Sequence, residues 1–318
     1  SWEQYMGANA SLVSKDNVYG IAVYQSYRNR NPYDVDGDSF SEIGKLNMNT
    51  FGLRAYYRPT QFSRFNVEYH TTNEFRRGGN KFDMEPFETD ITEQTKHVIN
   101  SGGLTYDLFW KEYKHKLSFY TSAQHVDRNS YYGAQQDPNA YGKTKDLTFV
   151  GGGMYVGNFD QVLFSPATFT AGLEYSHNNM HDIMAGYNRD LEQKVRIASA
   201  FFQNEWKMND FTLLAGFRLD DHNLIENLIF SPRVNLLYKP SDALQGRLTW
   251  STGFRAPQAY DEDLHITAVG GEGVLIHLVD GLKPEKSNSF SGSVDLSGQI
   301  GHFQTNLLIE GFYTALKD

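Results

Sequence analysis

The chain has 318 residues, with 29 Lys and Arg against 38 Asp and Glu for a formal net charge of -9, no Cys, 22 Phe and 20 Tyr. That acidic balance argues against a nucleic-acid partner, which requires a basic face, and no run approaches the roughly 20 apolar residues of a membrane-spanning helix. Mean hydropathy is -0.54 despite the aromatic load, so apolar residues are dispersed among polar ones, as in strands that present one side to lipid and the other to a lumen.

The sequence opens at Ser1-Trp2-Glu3 inside strand-like text with no signal peptide, and reads as a mature or truncated piece. The absence of Cys suits an extracytoplasmic location but discriminates weakly. Alternation with period two then recurs along the chain. It begins with a weak run at 5–13 and a clear one at Val18-Tyr19-Gly20-Ile21-Ala22-Val23-Tyr24-Gln25-Ser26-Tyr27-Arg28. Further runs lie at 46–58, 63–75, 96–109, 115–127, 144–158, 167–178, 195–207, 210–221, 229–239, 244–253, 286–296 and 302–313. These predict roughly fourteen strands of about 10–14 residues, long enough to cross a bilayer at a tilt and longer than the usual soluble strand.

Connections alternate too. Short ones include Ser14-Lys15-Asp16-Asn17, Pro59-Thr60-Gln61, Lys207-Met208-Asn209-Asp210, Pro240-Ser241-Asp242 and Ser297-Gly298-Gln299-Ile300-Gly301, while long ones run near 29–45, 76–95, 128–143, 179–194 and 254–285. Short turns on one side and long loops on the other characterise a transmembrane barrel; a soluble barrel has no reason to sort them. Aromatics near predicted strand ends, Tyr56-Tyr57, Phe62, Phe65, Phe75, Phe109-Trp110, Phe159, Trp206, Tyr238 and Trp250, fit interfacial girdles, or only the strand preference of aromatic residues. The expectation is an all-β chain, one domain over 1–318, forming part of a transmembrane antiparallel up-and-down β-barrel.

Several motifs carry candidate chemistry. Asp34-Val35-Asp36-Gly37-Asp38-Ser39-Phe40-Ser41-Glu42 places Asp34, Asp36 and Asp38 at alternate positions, a Gly for the turn, and Glu42 beyond. That set can surround a hard cation with oxygens, as a shortened relative of a calcium loop; a solvated acidic hairpin tip has the same composition. Arg76-Arg77-Gly78-Gly79-Asn80-Lys81 can attract an anionic cargo or lipopolysaccharide phosphates. Asp137-Pro138-Asn139 in another long loop reads as a turn start, with further ligands for the same cation as the alternative. Gly151-Gly152-Gly153 lies in a predicted strand and permits close backbone approach. His177 and His181 with Met180, Asp182 and Met184 have transition-metal donor types, but the i, i+4 spacing converges only on a helix. No nucleophile–base motif or phosphate-binding Gly-rich loop is present, so no enzyme is expected.

Toward the end, Phe230-Ser231-Pro232-Arg233-Val234-Asn235 precedes Ser251-Thr252-Gly253-Phe254-Arg255-Ala256-Pro257-Gln258-Ala259-Tyr260-Asp261-Glu262, followed by Leu282-Lys283-Pro284-Glu285-Lys286-Ser287. The ordered pair Gly253-Phe254-Arg255-Ala256-Pro257 and Leu282-Lys283-Pro284-Glu285 with Ser287 resembles the hallmark of TonB-dependent outer-membrane receptors, in which a Gly-Phe-Arg-Ala-Pro strand end precedes a long outer loop. Ser231-Pro232-Arg233 resembles the strand before it. The texture is similar to receptors of the Bacteroidetes, nearer the siderophore and cobalamin branch than the glycan importers. Specific motifs cover about 230–296; the rest is resemblance of texture.

The resemblance implies a barrel of about 22 strands around a plug, with the plug, the TonB-contacting box and the C-terminal strands outside this piece. It implies a bacterial outer-membrane location, contact with lipid and lipopolysaccharide, energy coupling to TonB through the plug, a ferric siderophore or cobalamin as cargo, and a surface lipoprotein lid as a further partner. Calcium gains support, because some cobalamin receptors order outer loops with it. Arg255 is expected to pair with Asp261, Glu262 or Glu285, the motif residues holding the rim rather than touching cargo. A glycan importer of the same class, a passive porin and a soluble all-β binding module remain the alternatives.

Overall fold

The computed structural model describes residues 2–259, 279 and 281–317. Fourteen strands form one antiparallel sheet in chain order: β1 (Glu3–Val13), β2 (Tyr19–Arg30), β3 (Ser41–Thr60), β4 (Ser63–Gly79), β5 (Ile91–Trp110), β6 (His115–Ala134) and β7 (Tyr141–Val162). The second half comprises β8 (Ser165–Met184), β9 (Arg189–Met208), β10 (Phe211–His222), β11 (Ile229–Ser241), β12 (Leu244–Arg255), β13 (Glu285–Ile300) and β14 (Phe303–Lys317). Among the described residues β1 and β14 each pair on one side only.

Cross-strand register lines up the period-two pattern into two chemically distinct faces. One row runs Leu12, Ile21, Ala55, Val67, Leu104 across β1–β5. The adjacent row, one residue along each strand, runs Ser11, Ala22, Arg54, Glu68, Gly103, Ser122. A sheet whose apolar face stays exposed, as Phe65, Val67, Tyr69 and Leu104 do, is stable where that face meets hydrocarbon and the polar face meets a wet lumen.

Near the short turns the apolar face carries the expected aromatic belt. Phe65 stacks on Tyr106 at 4.4 Å, Trp110 on His115 at 5.4 Å, and Phe211 on Tyr238 at 4.6 Å between ring centroids. Two expected girdle members depart from it. Tyr56 lies on the polar face beneath the guanidinium groups of Arg58 and Arg64, and Phe109 faces the Lys116 ammonium. The register puts each one residue out of phase with the lipid side.

Short and long connections alternate as expected, but the long ones are shorter than composition suggests. Much of 128–143 and 179–194 continues the strands, β6 to Ala134 and β8 to Met184. These polar, Asn- and Asp-rich stretches resemble loops because they rise above the lipid band and no longer need an apolar side. They bury against each other instead, with Tyr131 and Met184 each 1% exposed. Strands β3 and β5–β9 thus make a tall wall of 20–22 residues beside the 12 or 13 of β10–β12.

Candidate functional site

The acidic turn joins β2 to β3, and local chemistry shapes it. Asp34 accepts from the Gly37 and Ser39 amides at 2.6 and 2.8 Å, Asp38 from the Phe40 amide at 2.8 Å, and Glu42 from the Val35 amide at 2.6 Å. Gly37 and Ser39 take φ of 82° and 77° to close the turn. The result gathers Asp34, Asp36, Asp38 and Glu42 so that one carboxylate oxygen of each lies within 4.8 Å of the others. Oxygens on opposite sides of a calcium ion, each 2.3–2.6 Å away, are about 5 Å apart. The spacing fits such an ion, and three of the four residues are exposed to solvent.

A second cluster lies on the polar face of β6–β10. Arg218 donates through Nη2 to Glu174 at 2.8 Å and Ser199 at 2.7 Å, and through Nε to Asp220 at 2.7 Å. Tyr120 donates to the other Glu174 oxygen at 2.6 Å, and Ser199 to Asp220 at 2.6 Å. The two carboxylates share one guanidinium, and the neutral Tyr120 and Ser199 hydroxyls donate to them as well, so the network braces four strands through charge-assisted hydrogen bonds while keeping one excess negative charge. Gly152 sits among them because Tyr120 lies over it: a Cβ there would come 2.6 Å from the Tyr120 hydroxyl and 2.7 Å from the Leu173 carbonyl. The close approach expected of the Gly151-Gly152-Gly153 run therefore comes from a neighbouring ring and strand.

Higher on the same face, Arg128 donates to Thr144 at 3.0 Å, Thr144 to Asp182 at 2.6 Å, and Arg189 pairs with Asp182 at 2.5 Å. Asp182 is 2% and Arg189 7% exposed. His177 and His181 make no metal site with the methionines. On β8 the histidines point to one side and Met180, Asp182 and Met184 to the other, His181 instead contacting Asp190 at 2.7 Å. The basic run is spent internally: Arg76 pairs with Glu74 at 2.7 Å, Arg77 donates to the Met84 carbonyl at 2.8 Å, and Lys81 pairs with Asp90 at 2.9 Å.

Three outer connections are fastened together. Gln135 donates its amide to the Asp90 carbonyl at 2.7 Å, and Tyr131 reaches the Asp137 carbonyl at 2.9 Å. Tyr187 donates to the Asp137 carboxylate. Asp137 also accepts from the Asn139 amide at 2.8 Å, the turn expected of Asp137-Pro138-Asn139.

The motif segment has a role that sequence reading missed. Arg255 stands opposite Glu285 in the β12–β13 register, and Gly253 opposite Ser287; Asp261 and Glu262 lie outside the described residues. Past Pro257 the chain crosses above the short β10–β11 hairpin to the tall wall. There the Gln193 side chain accepts from the Ala259 amide at 2.9 Å and donates to its carbonyl at 3.0 Å. Met180, Leu191 and Ala259 pack into one buried cluster beside it. A Gln at a polar-phase position of β9 was the available signal, but its partner is 66 residues away.

A family model described as the TonB-dependent receptor-like β-barrel matches residues 6–318. Among solved structures, the siderophore receptor PirA from Pseudomonas aeruginosa aligns with a TM-score of 0.75 at 14% identity, covering 99% of this chain and 52% of that one. The ferric enterobactin receptor PfeA from the same organism gives 0.70 at 15% identity, over 92% and 49% of the two chains. The alcaligin outer-membrane receptor FauA from Bordetella pertussis gives 0.71 at 12% identity, over 99% and 49%. The chain thus spans about half the length of the solved structures it matches. A comparison with curated proteins finds no match.

Proposed function

Because this chain belongs to the TonB-dependent receptor β-barrel family, whose members reside in the bacterial outer membrane, we propose that it is the barrel wall of an active-transport receptor for a scarce nutrient. The carrying observation is the family match over 6–318, which coincides with an unbroken up-and-down order of fourteen strands. A ferric siderophore is the favoured cargo, supported by relatives named as siderophore receptors; cobalamin is the second. Energy would come from TonB acting on a plug, and the tall wall, with its fastened outer connections, would present the capture surface. A glycan importer differs only in cargo, whereas a porin needs no energy source.

The test is uptake by cells carrying the intact receptor, using radiolabelled ferric enterobactin, ferric alcaligin, cyanocobalamin, an oligosaccharide and a small neutral solute, with and without a protonophore. Protonophore-sensitive uptake of an iron chelate or cobalamin is the expected result. Protonophore-insensitive permeation of small solutes alone would leave a porin, and uptake of oligosaccharides alone a glycan importer.

The acidic turn is proposed as a calcium site that orders the β2–β3 connection, with Asp34, Asp36, Asp38 and Glu42 as ligands. The four-carboxylate spacing supports it. Calorimetric titration with calcium should show binding that Asp36→Asn weakens by about tenfold or more; equal affinity in the variant would refute the site.

A further inference from the structure

Ser231-Pro232-Arg233 alters the sheet in a way that neither the uptake reading nor the calcium turn uses. β11 pairs with β10 from Ile229 to Tyr238, but its register with β12 begins only at Arg233 opposite Ser251. β12 nonetheless continues to Arg255 against β13. Pro232 supplies the reason. The Lys239 amide donates to Asp210 on the β10 side, so by alternation residue 232 turns its backbone toward β12. Proline has no N–H to give there. The ladder ends, and the two strands part above it.

The opening forms a recess of about 380 Å³ whose lining includes Gly216, Arg218, Ser231, Arg233, Ser251 and Thr252, and no carboxylate. Arg233 lies opposite Gly216, which contributes no side chain. Arg218 is committed to Glu174 and Asp220. Arg233 has no hydrogen-bond or ionic partner among the described residues, and Ser251 stands directly opposite it on the same face. A recess with one uncommitted guanidinium, several hydroxyls and no acid is complementary to a planar anion that accepts two hydrogen bonds at once.

We propose that this seam is a carboxylate-binding recess, with Arg233 as the charged anchor and Ser231 and Ser251, which share its face, as hydroxyl donors. The carboxylate comes either from a free small molecule in the lumen or from an acidic side chain of polypeptide occupying the lumen. The recess depends on the barrel fold and not on the identity of the cargo, so its test is independent of uptake.

The intact receptor, purified in detergent, would be compared with Arg233→Gln, Arg233→Lys and Pro232→Ala by equilibrium dialysis against radiolabelled citrate and by thermal melting. For a free carboxylate, the wild type binds citrate, Arg233→Gln binds about 10–100-fold more weakly, and Arg233→Lys falls between. Pro232→Ala, which restores the missing N–H and lets the seam zip, also weakens binding with the guanidinium still present. For a side-chain carboxylate, the wild type takes up no citrate, but Arg233→Gln melts several degrees lower and Arg233→Lys recovers part of the loss. Citrate binding unchanged in Arg233→Gln would overturn the proposal, as would no citrate binding together with wild-type melting of Arg233→Gln.

Discussion

Asp137 and Tyr187 show how single residues set the behaviour of the outer rim. The hydrogen bond from Tyr187 holds the Asp137 carboxyl below the usual carboxylate range. Burial, and then the same bond, push the Tyr187 hydroxyl up to about 12. A carboxylate with a depressed pKa contributes stability above its unfolded value of about 4 and loses it as pH falls through the folded value; a phenol with a raised pKa contributes below about 10 and loses it as pH rises toward the folded value. The junction between 135–140 and 185–188 should therefore be tight between these limits and loosen outside them. Hydrogen exchange of those segments, corrected for intrinsic rates, should show this profile. Tyr187→Phe should flatten it and lower local protection by about 1 kcal/mol at neutral pH; an unchanged profile would show that the pair does not fasten the loops.

At the scale of elements, the tall wall depends on strands that keep pairing beyond the lipid band, and Gly79 marks the limit of one. It closes β4 with φ of 110°, and a Cβ there would meet the Ile91 carbonyl oxygen at 2.1 Å. Both the backbone angle and the close approach require glycine. Gly79→Ala should destabilise the β4–β5 hairpin by about 3 kcal/mol, read as a lower urea midpoint in detergent. A midpoint matching the wild type would mean that the hairpin end relaxes at no cost. Polar bracing works at this scale too: Arg218 joins Glu174, Ser199 and Asp220 from three strands around one guanidinium, because the register places polar-phase residues side by side.

For the whole molecule, the two edges matter most. β1 is exposed along its length, and β14 nearly so, leaving two rows of backbone donors and acceptors without partners among the described residues. Such edges template further pairing. Residues 1–318 produced alone in detergent should associate edge to edge and scatter light as a mixture of oligomers, whereas the intact receptor should be monodisperse. A monodisperse isolated segment would show that its edges are blocked or pair with each other.

Sequence alone determined what is local. Period-two alternation gave the fourteen strands and their two faces, turn composition gave the short–long alternation, and the nine residues from Asp34 to Glu42 carried both the acids and the turn that gathers them. The ordered Gly-Phe-Arg-Ala-Pro and Leu-Lys-Pro-Glu elements marked the family. Only the tertiary structure decided what depends on register between distant strands. The Tyr120–Glu174 bond spans 54 residues and the Gln193–Ala259 latch 66, while Tyr56 and Phe109 left the expected girdle because their phase points to the lumen. The strand extensions above the lipid band were hidden for a related reason. Lipid imposes alternation along a single strand, whereas above it burial comes from neighbouring hairpins, and a polar sequence folds as strand there once its partners are in place.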